Sequence, residues 1–238
     1  MAYCRSSCID PGCLDYAAIG SLLKHCNRTH KVCRPSPWPS LPIQLIDCME
    51  QKVVPALESC DYTTLSYVWG KSPDESYVSS DGSLVNPPAT IRDAMTVTLA
   101  LGYRYIWIDR YCIDQNDTTK KLAQIWQMGS VYRASVLTIF STGGTGPQHG
   151  LPGVGKTLRQ SQIKRTIHGR EIVGVLDQPR KLIEDSVWMS RGWTYQEAML
   201  SKRRLCLTDQ QFYFECCSDL SRDEIYGLGN RYMKVTTA

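Results

Sequence analysis

Several features that would assign this chain to a class at sight are missing. No apolar run approaches the ~20 residues needed to cross a bilayer, so no membrane span is expected. The amino terminus, Met1-Ala-Tyr-Cys-Arg-Ser-Ser-Cys8, lacks the apolar core of a secretion signal. A cytoplasmic location is the expectation. Charge of one sign is not concentrated anywhere: the net charge is +4 with no basic arm, which argues against a nucleic-acid partner. It is still of the right sign to draw in an anionic dinucleotide. Nor is the chain poor in apolar residues, which make up 42% and exclude wholesale disorder. Among its 11 cysteines no pair forms the tight Cys-x2-Cys knuckle of many zinc sites. Without a secretion signal the thiols are expected to be reduced.

What is present fits one large α/β domain with a smaller piece before it. With 238 residues, the division expected is a Cys-rich extension with a Pro-rich connector over residues 1–60, and a main domain over 61–238. In the extension, Cys4, Cys8 and Cys13 precede Cys26-Asn-Arg-Thr-His30-Lys-Val-Cys33. Cys26, His30 and Cys33 supply three zinc-type ligands, with an earlier cysteine as the fourth. The missing knuckle and the surplus of candidates weigh against zinc. The simpler reading is a helix from about Asp15 to Cys33 whose thiols pack on the main sheet. Pro35, Pro37, Pro39 and Pro42 then mark an extended connector. Cys112 and Cys206 sit in apolar surroundings as small core residues.

The main domain is organised around Thr90 to Gln115. Ile91, Ala94, Met95, Thr98 and Leu99 recur at helical spacing, Thr90 and Asp93 stand where a capping box belongs, and Gly102 supplies a left-handed stop. A buried strand, Tyr103 to Ile108, follows and breaks off at Asp109. Tyr62 to Trp69 reads as another central strand, ending in Gly70. Asn116 to Thr119 caps a helix through Leu122, Ile125, Met128 and Tyr132, and Ser135 to Phe140 is a third strand. Strand, helix, strand, helix, strand implies a mainly parallel sheet with helices on both faces, whose ligands sit beyond the carboxyl ends of the strands. Asp81-Gly82 marks a turn in the polar stretch 71–89, and His168-Gly169 the turn of a β-hairpin insertion.

That placement makes Asp109, Trp69 and Gly70 site candidates. Trp69 is placed to stack on a ring, and Gly70 to let backbone approach a ligand. A buried Trp followed by a turn glycine accounts for the same letters. Asp109 either orients a site residue or pairs with Arg92, Arg110 or Arg191. Gly150-Leu-Pro-Gly-Val-Gly155-Lys156-Thr157 matches the phosphate-binding P-loop letter for letter. The strand before it ends too early and no helix pattern follows, so a surface loop is the better reading.

Three ordered blocks carry a family resemblance: Tyr62-Thr-Thr-Leu-Ser-Tyr-Val-Trp-Gly70, the helix and strand from Thr90 to Asp109, and Arg191-Gly-Trp-Thr-Tyr-Gln-Glu197. Together they resemble the fungal heterokaryon-incompatibility (HET) domain, a distant relative of TIR domains. The resemblance implies a flavodoxin-like/TIR-like sheet and an effector that triggers regulated cell death in non-self recognition. It further implies self-association on activation and an upstream recognition protein or receptor. Many TIR domains cleave NAD⁺ with a glutamate on a helix opened by a Ser-x-Trp-Cys-x-x-Glu-like run, and Ser190 to Glu197 is similar to it with one residue added after the serine. By that likeness Glu197 is the catalytic acid, Asp109 assists, and Trp69, Gly70, Arg110, Trp193 and Gln196 hold the dinucleotide, with NAD⁺ as substrate and no resident cofactor or catalytic metal. Two alternatives stay open. Thr194 to Glu197 also spells a capping box, and the domain also fits a non-catalytic module that acts by recruiting partners.

Overall fold

A computed structural model describes residues 9–34, 36–39, 43–57, 59–70, 78–115, 117–218 and 220–222. Pro35, Pro42, Cys4, Cys8, Asn116 and the first part of the polar stretch after Gly70 lie outside them.

The chain begins with α1 (Tyr16–Thr29), capped by the Asp15 carboxylate on the Ala18 N–H, and a hairpin of β1 (Gln44–Asp47) and β2 (Lys52–Pro55). Next come β3 (Tyr62–Ser66), α2 (Ala89–Ala100), β4 (Tyr105–Trp107), the single turn α3 (Asp109–Cys112), α4 (Thr118–Ala134) and β5 (Leu137–Ser141). A separate hairpin, β6 (Lys164–Ile167) and β7 (Arg170–Val173), precedes α5 (Pro179–Glu184) and α6 (Thr194–Leu200). The chain returns to the sheet as β8 (Arg203–Leu207), β9 (Phe212–Cys216) and β10 (Leu220–Arg222).

Eight strands form one sheet in the order β10-β9-β8-β5-β3-β4-β1-β2. The four central strands, β4, β3, β5 and β8, are parallel, and the outer pairs are antiparallel. Taken in chain order these four lie 2-1-3-4, the order with which a doubly wound flavodoxin-type sheet begins. Every residue of β3 and of β5 is buried, as two covered faces require, whereas β9 alternates between buried and half-buried. The expectation of an α/β fold with a mainly parallel sheet and a hairpin insertion is met. Residues before 60 supply β1 and β2 to the same sheet, and α1 buries Ile19, Leu22 and Leu23 in the same core.

Local signals account for most of these elements. Gly102 takes φ +86°, and the Tyr103 and Gly102 N–H groups return to the Thr98 and Leu99 carbonyls, a complete Schellman stop for α2. His168 and Gly169 both have positive φ, as a tight two-residue hairpin turn needs. Cys112 and Cys206 are buried, and burial pushes each thiol up to about 12, which leaves them inert.

Three local expectations are corrected. Leu99 faces outward at 40% exposure and Val97 takes its place in the core. The Thr90/Asp93 capping box is absent, because α2 starts after Pro88 with no side-chain cap. Both side chains turn instead to the glycine loop: the Thr90 hydroxyl accepts from the Gly150 N–H at 3.2 Å and the Asp93 carboxylate from Leu151 at 2.8 Å. Lastly, no earlier cysteine joins Cys26, His30 and Cys33 among the described residues, since Cys13 is exposed and outside the cluster. The fourth neighbour is Cys216, the last residue of β9.

The same loop explains the P-loop letters. No helix follows Thr157 directly, and the backbone that would cradle a phosphate packs on the chain's own carboxylate. A Cβ at Gly155 would lie 2.7 Å from Asp93 Oδ1, and one at Gly150 would lie 2.7 Å from Oδ2. Glycine is needed there for close approach to Asp93.

Candidate active site

Beyond the carboxyl ends of β3 and β4 lies a cavity of about 280 Å³ walled by Trp69, Asp109, Ile113, Gln115, Lys121, Ile125, Met128, Arg191, Trp193 and Glu197. Its volume is at the lower edge of the roughly 300–1,000 Å³ of small-molecule sites.

Each element delivers its residue for a physical reason. Hydrogen bonding of β3 to its neighbours ends at Ser66, and the extended residues after it carry Trp69 to the rim. β4 gives way at Ile108 to the turn α3, which Asp109 opens. α4 is only weakly amphipathic because part of it walls the cavity. Ile125 and Met128 are half-buried there, Leu122 is exposed, and only Tyr132 of the expected apolar line is fully buried.

Glu197 sits on α6 with only 3% of its surface exposed. The capping box suggested by its sequence does not form. Trp193 is the N-cap residue without a side-chain bond, and the Thr194 hydroxyl donates to the Arg191 carbonyl. The Glu197 carboxylate points the other way, to the sheet, where Oε2 accepts a short hydrogen bond from the Ser66 hydroxyl. Ser66 in turn accepts the Trp188 indole N–H at 2.7 Å, and Trp188 stacks edge-on against Phe140. A run of buried hydroxyls, Thr64 to Thr138 to Ser201 and on to the Glu197 carbonyl, fastens α6 to β3 and β5. The buried Tyr132 phenol lies beside the same carboxylate without a hydrogen bond of regular geometry.

The electrostatics separate the two acids. Burial raises the pKa of Glu197, while the Ser66 hydroxyl and the Arg191 charge oppose that rise. Asp109 is pushed up to about 7, by burial first and then by the Glu197 charge. The Arg110 N–H at 2.7 Å and the Trp69 indole N–H at 3.1 Å, both on Oδ1, hold it from rising further. Near neutral pH Asp109 therefore holds an exchangeable proton beside the Glu197 carboxyl group.

The candidate residues divide accordingly. Trp69, Asp109, Trp193 and Glu197 meet at the cavity. Arg110 is directed to Trp69, with its guanidinium 5.5 Å from the ring centroid and Nη1 on the Trp69 carbonyl, and it is not part of the wall. Gly70, at φ +76°, accommodates Pro147 rather than the cavity, and Gln196 is exposed on the far side of α6. Ser66, Trp188, Lys121 and Tyr132 escaped sequence reasoning as site residues. Only Ser66 left a signal, as a small hydroxyl near the carboxyl end of a β-branched strand. Arg191 stood in the sequence as a partner for Asp109, and it both lines the wall and donates to the Tyr67 carbonyl.

A doubly wound α/β domain with a buried carboxylate pair at the carboxyl edge of its parallel strands is the class these features define. Within it, the model of the family described as heterokaryon incompatibility protein (HET) matches residues 62–197, from the first residue of β3 to Glu197 itself. The chain belongs to that family, which ties it to heterokaryon incompatibility and cell death in fungi. No curated protein and no solved structure matches it. Among the described residues no helix is long and apolar enough to cross a membrane.

Proposed function

We propose that this domain is an effector of non-self recognition that, after self-association, cleaves NAD⁺ at the bond between nicotinamide and ribose. The observation that carries this reading is the direction of Glu197. A glutamate that merely started α6 would turn back to the helix amides, and this one is buried, bound to Ser66 and set in a cavity wall.

The reaction suits the groups present. When the C–N bond breaks, its electron pair leaves with nicotinamide and positive charge develops on the ribose. An ionised Glu197 facing that charge stabilises the transition state more than the bound substrate. Water then attacks the sugar carbon, and its proton passes to the ionised form of Asp109, which a pKa of about 7 keeps available near neutrality. Trp69 and Trp193 offer faces to the nicotinamide ring. Lys121 and Arg191 in the wall supply positive charge for the pyrophosphate.

A second reading, a module that works by recruiting partners, is favoured by apolar surface on the helices around the cavity. Trp126 on α4 is 87% exposed, and Tyr195 and Met199 on α6 are 66% and 63% exposed. NAD⁺ consumption by concentrated or crowded protein, with Glu197→Gln alongside, separates the two. Turnover by the wild type and none by the folded variant is the expected result. An assembled wild type that leaves NAD⁺ intact makes the domain a recruiting module.

A further inference from the structure

A second cluster of reactive side chains lies where the amino-terminal helix meets the antiparallel edge of the sheet, and it plays no part in the cavity. Cys26 is in the last turn of α1 and His30 is its C-cap residue, four positions on and therefore on the same face. A turn of 3-10 helix then carries Cys33 back, and β9 ends at Cys216. The three sulfurs and one His nitrogen all lie within 4.8 Å of one another, with Cys216 Sγ 3.5 Å from His30 Nδ1. All three cysteines are buried and the histidine is half-buried.

We propose that Cys26, His30, Cys33 and Cys216 bind a structural zinc ion that pins α1 to β9. Three thiolates and one imidazole form a complete tetrahedral set of the structural type, with no position left open for chemistry. Zinc–sulfur bonds of about 2.3 Å place tetrahedral ligand atoms roughly 3.5–3.8 Å apart, so the observed cluster needs only a small contraction.

The neighbouring charge points to the same occupant. Arg203 on β8 is 2% exposed, with Nε 3.1 Å from Cys26 Sγ and its other nitrogens on the Val136 carbonyl and the Asn27 amide oxygen. None of these partners is a carboxylate. A buried guanidinium among neutral groups is costly. Three thiolates around Zn²⁺ carry one net negative charge, which a single guanidinium touching a ligand sulfur offsets. A ligating sulfur fixed by such a donor is the outer support that metal sites commonly have.

The test uses the full chain, purified under reducing conditions without chelator. Elemental analysis should find stoichiometric zinc, and replacement with Co²⁺ should give the visible bands of a tetrahedral, thiolate-rich site. In the wild type, alkylation of Cys26, Cys33 and Cys216 should be slow until a chelator is added, and this holds whether or not any variant folds. Cys216→Ser should lose the stoichiometric metal, and Cys217→Ser, at the exposed neighbour, should keep it. Folded wild type that takes up no zinc from excess reduced buffer overturns the proposal. So does a Cys216→Ser protein with wild-type zinc affinity, or a disulfide within the cluster in freshly prepared protein.

Discussion

The Ser66 hydroxyl donates to the Glu197 carboxylate across 131 residues of chain, joining the end of the central strand to the helix that closes the family match. Ser66 is also the acceptor for the Trp188 indole, so one small side chain supports both groups. Ser66→Ala is expected to cost about 1–3 kcal/mol, because it leaves the indole N–H and the carboxylate short of partners in a buried place. Urea denaturation measures the loss. If the three residues act as a unit, a double-mutant cycle with Trp188→Phe should show a coupling of about 0.5 kcal/mol or more. Simple additivity would mean that the hydroxyl does not support the indole.

The proton on Asp109 sets a pH dependence of unusual sign for a carboxylate. Its folded pKa is raised from 3.8 to about 7, so between those values the native state keeps a proton that the unfolded chain has released. This contribution to stability is full below about pH 4, declines as pH rises toward 7, and levels off above that. Asp109→Asn retains an oxygen for the Trp69 and Arg110 N–H groups and cannot ionise. The variant is expected to gain up to about 4 kcal/mol over wild type near pH 8, roughly three pKa units at ~1.4 kcal/mol each, and to match it near pH 4. Equal stabilities at both pH values would show that Asp109 is ionised normally.

The parts of this fold legible in the sequence are those whose signals are local. Ile91 to Gly102 followed by the run to Asp109 announced helix, stop and strand, and set Asp109 where the cavity lies, because Gly102 and the β-branched run answer to their neighbours in the chain. Capping letters misled twice for a common reason. Thr90 with Asp93, and Thr194 with Glu197, have the composition of capping boxes, but each acid found a partner far along the chain, Leu151 for Asp93 and Ser66 for Glu197. A pattern of four residues reports what a side chain can reach locally. It carries no information about a better partner brought up by the sheet. Cys216 was invisible as a neighbour of Cys26 for the same reason, as only the pairing of β8 with β9 takes it there.

The glycine loop offers a direct test of that distinction. In a nucleotide site Lys156 would be indispensable, whereas here it is exposed and Asp93 holds the loop. Asp93→Ala is expected to destabilise the protein by about 1–3 kcal/mol, since the Leu151 N–H loses its buried acceptor. Lys156→Ala should stay within about 0.5 kcal/mol of wild type, as exposed positions do. Thermal unfolding of the two variants, with and without added ATP, decides the matter. Stabilisation by ATP that depends on Lys156 would restore the P-loop reading.

Trp126 separates assembly from the integrity of the site. Its neighbour Ile125 faces the cavity, but Trp126 itself is 87% exposed and contributes little to the folded monomer. Trp126→Ser should therefore leave unfolding within about 0.5 kcal/mol of wild type. If α4 provides the surface through which copies meet, the same change should shift sedimentation toward monomer and lower NAD⁺ turnover only at concentrations where the wild type assembles. Glu197→Gln should do the reverse, abolishing turnover while sedimenting as wild type does. A Trp126→Ser protein that assembles and turns over normally would move the contact surface away from α4, leaving the apolar faces of Tyr195 and Met199 on α6 as the next to change.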